Sequence, residues 1–194
     1  MIQTAAPAHE DLEPVSDQTL VAAARERPDD FGLLYERYLP RVYRYLLARV
    51  GVREEAADLT QLVFMRAFDA LPKYRPGKAP FAAWLFRIAR NAAADSMRRH
   101  HRRPTTPLDG IADALTTTAD GPEAIAEKNE RLERLRGHVG RLDNGKRELL
   151  ALRFAAGFSV REIAPIVGKS ESAVKKQLTR TINELKEHYH DELQ

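Results

Sequence analysis

Five hydrogen-bond donors, Ser172, Lys175, Lys176, Thr179 and Arg180, recur at helical spacings on one side of a segment near the C-terminus. The other side of that segment is Val174, Leu178, Ile182 and Leu185. Hydroxyl, ammonium and guanidinium donors on an exposed helix face match the acceptors of DNA, the phosphate oxygens and the base edges of the major groove. Any basic solvated helix offers such a face, so the preceding residues matter. Ser159 and Glu162 form the S-x-x-E pattern of a capping box. Ile163, Ala164 and Val167 make a short apolar face, Gly168 supplies a sharp turn, and Ser170 caps the next helix. This is the layout of a helix-turn-helix whose second helix presents the donors. Pro165 removes one backbone bond from the first helix at a cost of about 3 kcal/mol, so that helix is expected to be kinked or very short.

A second basic set lies upstream. Arg87, Asn91 and Arg98 share one face of a helix, at spacings of four and seven, with Arg90 and Arg99 nearby. Guanidinium groups in this density suit phosphate. The same helix carries an apolar stripe of Phe81, Trp84, Leu85, Ile88 and Ala92, and its spacing places Trp84 in the core rather than under a base. Before it runs a loop, Lys73 to Ala79, containing Tyr74, Arg75 and Lys78. A third set, Asp58, Gln61, Leu62 and Met65, is offset from the Leu59, Val63 and Ala67 stripe of its helix. A mixed polar and apolar outward face fits a protein interface. The six histidines form no ligand set, no glycine-rich phosphate loop occurs, and neither a catalytic centre, a metal nor a cofactor is expected.

The elements that carry these sets are all helical. No alternating pattern persists, and the expected fold class is all-α, two small helical domains joined by a flexible linker. A tail to about Val15 precedes a short helix capped by Ser16. A periodic segment from Asp30 to about Val50 is kinked or divided at Pro40. Helices from about Arg53 to Leu71, and from Pro80 to about Arg99, complete a first domain over 16–102. Residues 103–121, rich in proline and threonine, read as a linker. A second domain over 122–194 has a helix carrying Ile125, Leu132, Leu135 and Val139. Its next helix, from about Asn144 to Ala156, carries Leu149, Leu150, Leu152 and Phe154, and the hairpin follows. The formal net charge is +3, and Arg98 to Arg103 is a purely basic run. There is no cysteine, which fits a reducing cytoplasm. The acidic N-terminus is unlike a signal peptide, and no apolar run approaches the ~20 residues of a membrane span.

Two groups of residues together resemble the bacterial extracytoplasmic function (ECF) sigma factors, the small two-domain specificity subunits of RNA polymerase. The first group is Phe31–Tyr43, Asp58–Phe68 and Phe81–Asn91; the second is Leu149 to Leu185. The resemblance implies that the first domain is sigma region 2 and the second is region 4. It implies that the Arg53–Leu71 helix docks on the β′ clamp helices of core polymerase through Asp58, Gln61, Leu62 and Met65, and that region 4 docks on the β flap. It implies that region 2 melts and reads the −10 promoter element, with a base flipped into the loop from Tyr74 to Pro80. Tyr74, Arg75, Lys78, Arg87, Arg90, Asn91, Arg98 and Arg99 are its expected DNA contacts. Region 4 would read the −35 element with Ser172, Lys175, Lys176, Thr179 and Arg180. An anti-sigma factor is the expected regulator, and the free protein is expected to be a monomer in the cytoplasm, joining the nucleoid in holoenzyme. Leu62 stands where the family usually has an acid, and Lys176-Gln177 where many relatives have Ser-Arg. The rival readings are a stand-alone helix-turn-helix regulator and an adaptor that binds polymerase without DNA.

Overall fold

The structure is a computed structural model that describes residues 15–77, 79–99, 130 and 134–191, the last four as backbone only. Ser16 starts the first helix, α1 (Asp17–Glu26), by accepting the Thr19 N–H at 3.2 Å on its hydroxyl. A 3-10 turn at Pro28–Asp30 leads into α2 (Phe31–Val50). Pro40 does not divide α2, which runs through it unbroken. Phe31, Leu34 and Tyr38 before the proline, and Val42, Tyr45 and Leu46 after it, are all buried in one core. Their shared burial outweighs one missing backbone bond. Gly51, with φ of 76°, ends α2 in the left-handed region and reverses the chain into α3 (Arg53–Ala70). The start of α2 therefore meets the end of α3, where Phe31 packs edge-on to Phe64 and Phe68.

After a 3-10 turn at Leu71–Lys73, α4 (Phe81–Arg99) crosses both helices. It begins one residue later than expected: Pro80 stays outside, and its carbonyl accepts the Trp84 N–H at 3.1 Å. Trp84 is half-buried between Tyr74 and Phe81, as its spacing predicts.

The second half begins with α5 at 134–141, which buries Val139 and part of Leu135. Asp143 caps α6 (Asn144–Leu150) by accepting the Lys146 N–H at 2.9 Å. The expected single helix to Ala156 is not continuous. It widens into a π turn over Ala151–Ala155, closed by the Ala156 N–H on the Ala151 carbonyl. The extra residue rotates Phe154 out of the core, leaving it 51% exposed. Phe158, beyond Gly157, takes the buried position instead. The hairpin is then α7 (Val160–Val167) and α8 (Glu171–Asp191). The expectations for residues 103–121, Ile125 and Leu132 lie outside the described residues.

The two halves do not hang apart on a tether. The second packs on α2 and α4 of the first, with Phe158 standing perpendicular to Phe86 at 4.6 Å between ring centroids. Both rings are fully buried.

Candidate nucleic-acid interface

The hairpin is built as its residues dictate. Ser159 accepts the Glu162 N–H, and Glu162 returns a carboxylate to the Ser159 N–H at 2.8 Å, a complete capping box. Burial pushes the Glu162 carboxyl up, but the bonds from the Ser159 hydroxyl and N–H outweigh it and hold the group below its ordinary value. α7 has only eight residues, which confines the effect of Pro165 to its last turn. Gly168, with φ of 69°, makes the turn, and Ser170 accepts the Ala173 N–H at 3.2 Å to start α8. Val174 and Leu178 anchor α8 in the core, with Ile182 and Leu185 partly buried beside them. Ser172, Lys175, Lys176, Thr179 and Arg180 consequently all face outward. Gln177 is turned aside and accepts from Lys169 Nζ at 2.8 Å. This leaves Lys175, Lys176 and Arg180 as the exposed cations of the recognition face.

The loop before α4 forms one wall of a cavity of about 590 Å³, and α1 forms the other. Tyr74, Pro76, Gly77 and Ala79 line it from the loop; Ser16, Asp17 and Gln18 line it from α1. Tyr74 is buried, and its hydroxyl donates to the Ala79 carbonyl at 2.8 Å, so it braces the loop across its mouth. Burial, then the nearby Asp17, pushes the Tyr74 phenol pKa upward. Asp17 is fixed by Arg37 at 2.8 Å and by the Tyr38 hydroxyl. The wall thus mixes aromatic surface with a carboxylate held by two partners. Arg75 is exposed beside the cavity, and Lys78 lies outside the described residues.

On α4, Arg87, Asn91, Arg98 and Arg99 are exposed, with Arg98 paired to Asp95. Arg90 is different. Its Nε is 2.7 Å from Glu148 of α6, so in this arrangement it serves the contact between the halves and not an open basic face. On α3, Asp58, Gln61 and Met65 are exposed, Met65 at 65%. Leu62 is half-buried, with part of its side chain packed on the core and part open beside Gln61 and Met65. Phe68, 43% exposed one turn beyond Met65, adds apolar surface to the same helix.

The residues that the sequence did not single out are Arg41, Tyr45, Glu148 and Phe158, which join the halves. One signal for them exists: Glu148 directly precedes the apolar run Leu149–Leu152, and it is buried.

Comparison with known proteins agrees with this geometry. Sigma-70 region 2 matches residues 34–103, and Sigma-70 region 4 matches residues 132–185. The chain is 34% identical over 157 residues to the ECF RNA polymerase sigma factor BldN of Streptomyces coelicolor, covering 81% of this chain and 59% of that relative. It is 33% identical to the ECF RNA polymerase sigma factor SigM of Bacillus subtilis, covering 80% of this chain and 93% of SigM. Among solved structures, CnrH in complex with the cytosolic domain of CnrY superposes with a TM-score of 0.67 at 28% identity, over 90% of this chain and 97% of that one. The region matches in order, the similarity over most of SigM and the shared fold place the chain in one family: it belongs to the ECF-type RNA polymerase sigma factors.

Proposed function

We propose that this protein directs core RNA polymerase to its promoters, with region 4 reading the −35 element and region 2 melting and reading the −10 element. The observation that carries the reading is the face of α8, where three exposed cations and two hydroxyls stand on a helix locked by a capped turn and a buried Val174–Leu178 stripe. Lys175, Lys176 and Arg180 engage phosphates and guanine edges, and Ser172 and Thr179 fix the helix against the backbone. In region 2, the cavity between α1 and the Tyr74–Pro80 loop receives the flipped base. Flipping costs a few kcal/mol, which stacking on the aromatic wall and a hydrogen bond to Asp17 offset. Arg75, Lys78, Arg87, Asn91, Arg98 and Arg99 hold the separated strand, and Arg90 joins them when Glu148 withdraws.

Core polymerase is bound through the Asp58, Gln61, Leu62 and Met65 face of α3, extended by Phe68, on the β′ clamp helices, and through Phe154 and its surroundings on the β flap. The protein performs no catalysis of its own; the polymerase does. It acts in the cytoplasm, and no helix among the described residues is long and apolar enough to cross a membrane. CnrH was solved in complex with the cytosolic domain of CnrY, which supports a protein partner for this chain as well, and the partner proposed here is an anti-sigma factor. Run-off transcription with purified core polymerase tests the reading. Specific initiation is the expected result. Tight duplex binding by the free protein, with no initiation when polymerase is added, would sink it.

A further inference from the structure

The turn between α7 and α8 holds a cation that lies outside the recognition face. Lys169 directly follows Gly168, its backbone N–H bonds the Ala164 carbonyl at 3.1 Å, and its side chain is exposed. Its ammonium is nonetheless fixed, because Nζ donates to Gln177 Oε1 at 2.8 Å. Ser170, which starts α8, and Gln177 are separated by about 10 Å of helix. Lys169 must therefore lie extended along the flank of α8, with its charge beside the first two turns of the helix.

Gln177 is itself braced. It is half-buried, and its amide nitrogen lies against the start of α6, 3.8 Å from the Cβ position of Gly145. The type of acceptor matters. A carboxylate neutralises an ammonium, as Glu184 does for Lys146 at 2.6 Å. A neutral amide holds the ammonium in place but leaves its whole charge, with two of its three N–H donors open. Lys169 has no ion pair among the described residues.

Ordering two rotamer-rich side chains offsets what one exposed hydrogen bond returns, so the contact does little for folding. Its effect is to set where a full positive charge sits before any partner arrives. That place is beside Ser172, Lys175 and Lys176 but turned away from them, since Gln177 stands on the flank between their face and the buried Val174–Leu178 stripe. A cation on the flank of a helix that enters a groove meets the sugar-phosphate backbone bordering that groove, not the base edges.

We propose that Lys169 is a phosphate clamp on promoter DNA and that Gln177 is its positioning residue, holding the ammonium toward the backbone that borders the groove occupied by α8. This rests on the reading of α8 as the −35 helix. The clamp fixes the register of α8 and adds affinity, and it carries no sequence information of its own.

Anisotropy of holoenzyme on a labelled promoter duplex, from about 50 to 200 mM salt, tests the clamp. Lys169→Gln should lower the slope of log affinity against log salt by about 0.9, so that wild type loses about 3.5-fold more than the variant over that range. The loss should be the same on a duplex with a scrambled −35 element, leaving the specificity ratio where it was. Lys169→Arg should keep the wild-type slope. Gln177→Met keeps the length and packing of the side chain and removes the acceptor. It should weaken binding about threefold in the wild-type background and not at all in Lys169→Gln. A wild-type slope in Lys169→Gln overturns the clamp, and so does an equal loss measured on core polymerase without DNA. An equal loss from Gln177→Met in both backgrounds overturns the positioning role. Failure of the −35 reading looks different: replacing Lys175 and Lys176 by alanine then leaves the slope at its wild-type value. The clamp alone fails when that pair lowers the slope and Lys169→Gln does not.

Discussion

Replacing Lys175 and Lys176 together by alanine should change how promoter binding responds to salt, and the size of the change follows from α8. Three cations on its outward face are exposed, Lys175, Lys176 and Arg180; Lys169 lies on the turn before it and adds equally to both proteins. Each phosphate contact contributes about 0.9 to the slope of log affinity against log salt, so the face contributes about 2.7 and the double variant about 0.9. Between 50 and 200 mM salt this helix should lose roughly 40-fold in wild type and roughly 3.5-fold in the variant. Region 2 contacts add equally to both and cancel in the difference. Fluorescence anisotropy of holoenzyme on a labelled promoter duplex, across a salt series, measures it. Both lysines are exposed, so folding should not change. Equal slopes for the two proteins would refute the assignment of this face to DNA.

Gly168→Ala should destabilise region 4 by about 1–2 kcal/mol through backbone strain alone, since φ is 69° and nothing lies within 4 Å of the added carbon; denaturant melts give the value. Glu162 has a folded pKa below its unfolded one, so its capping box stabilises fully above the ordinary carboxylate range of about 4.3 and is lost as pH falls through the depressed value. Acid titration of thermal stability should therefore fall more steeply in wild type than in Glu162→Gln. Met65→Glu should weaken core-polymerase binding by about 10- to 100-fold, the worth of one buried methionine, with an unchanged melting temperature, as competition against a labelled sigma factor would report.

The legible parts of the chain were those whose information is local. Ser16, Ser159, Gly168 and Ser170 announce helix ends through their own backbone chemistry, and each end lies where that chemistry puts it. The outward set on α8 followed from period alone, because Val174 and Leu178 must be inside. What failed was information held between segments. Pro40 reads as a break, yet packing on both sides of it keeps α2 whole. Phe154 fits an apolar stripe, and only a π turn, whose register no local pattern marks, expels it in favour of Phe158. Arg90 was legible as a cation on a basic helix, but its pairing was not. Its partner Glu148 is 58 residues away, and a pairing of that range leaves no periodic trace.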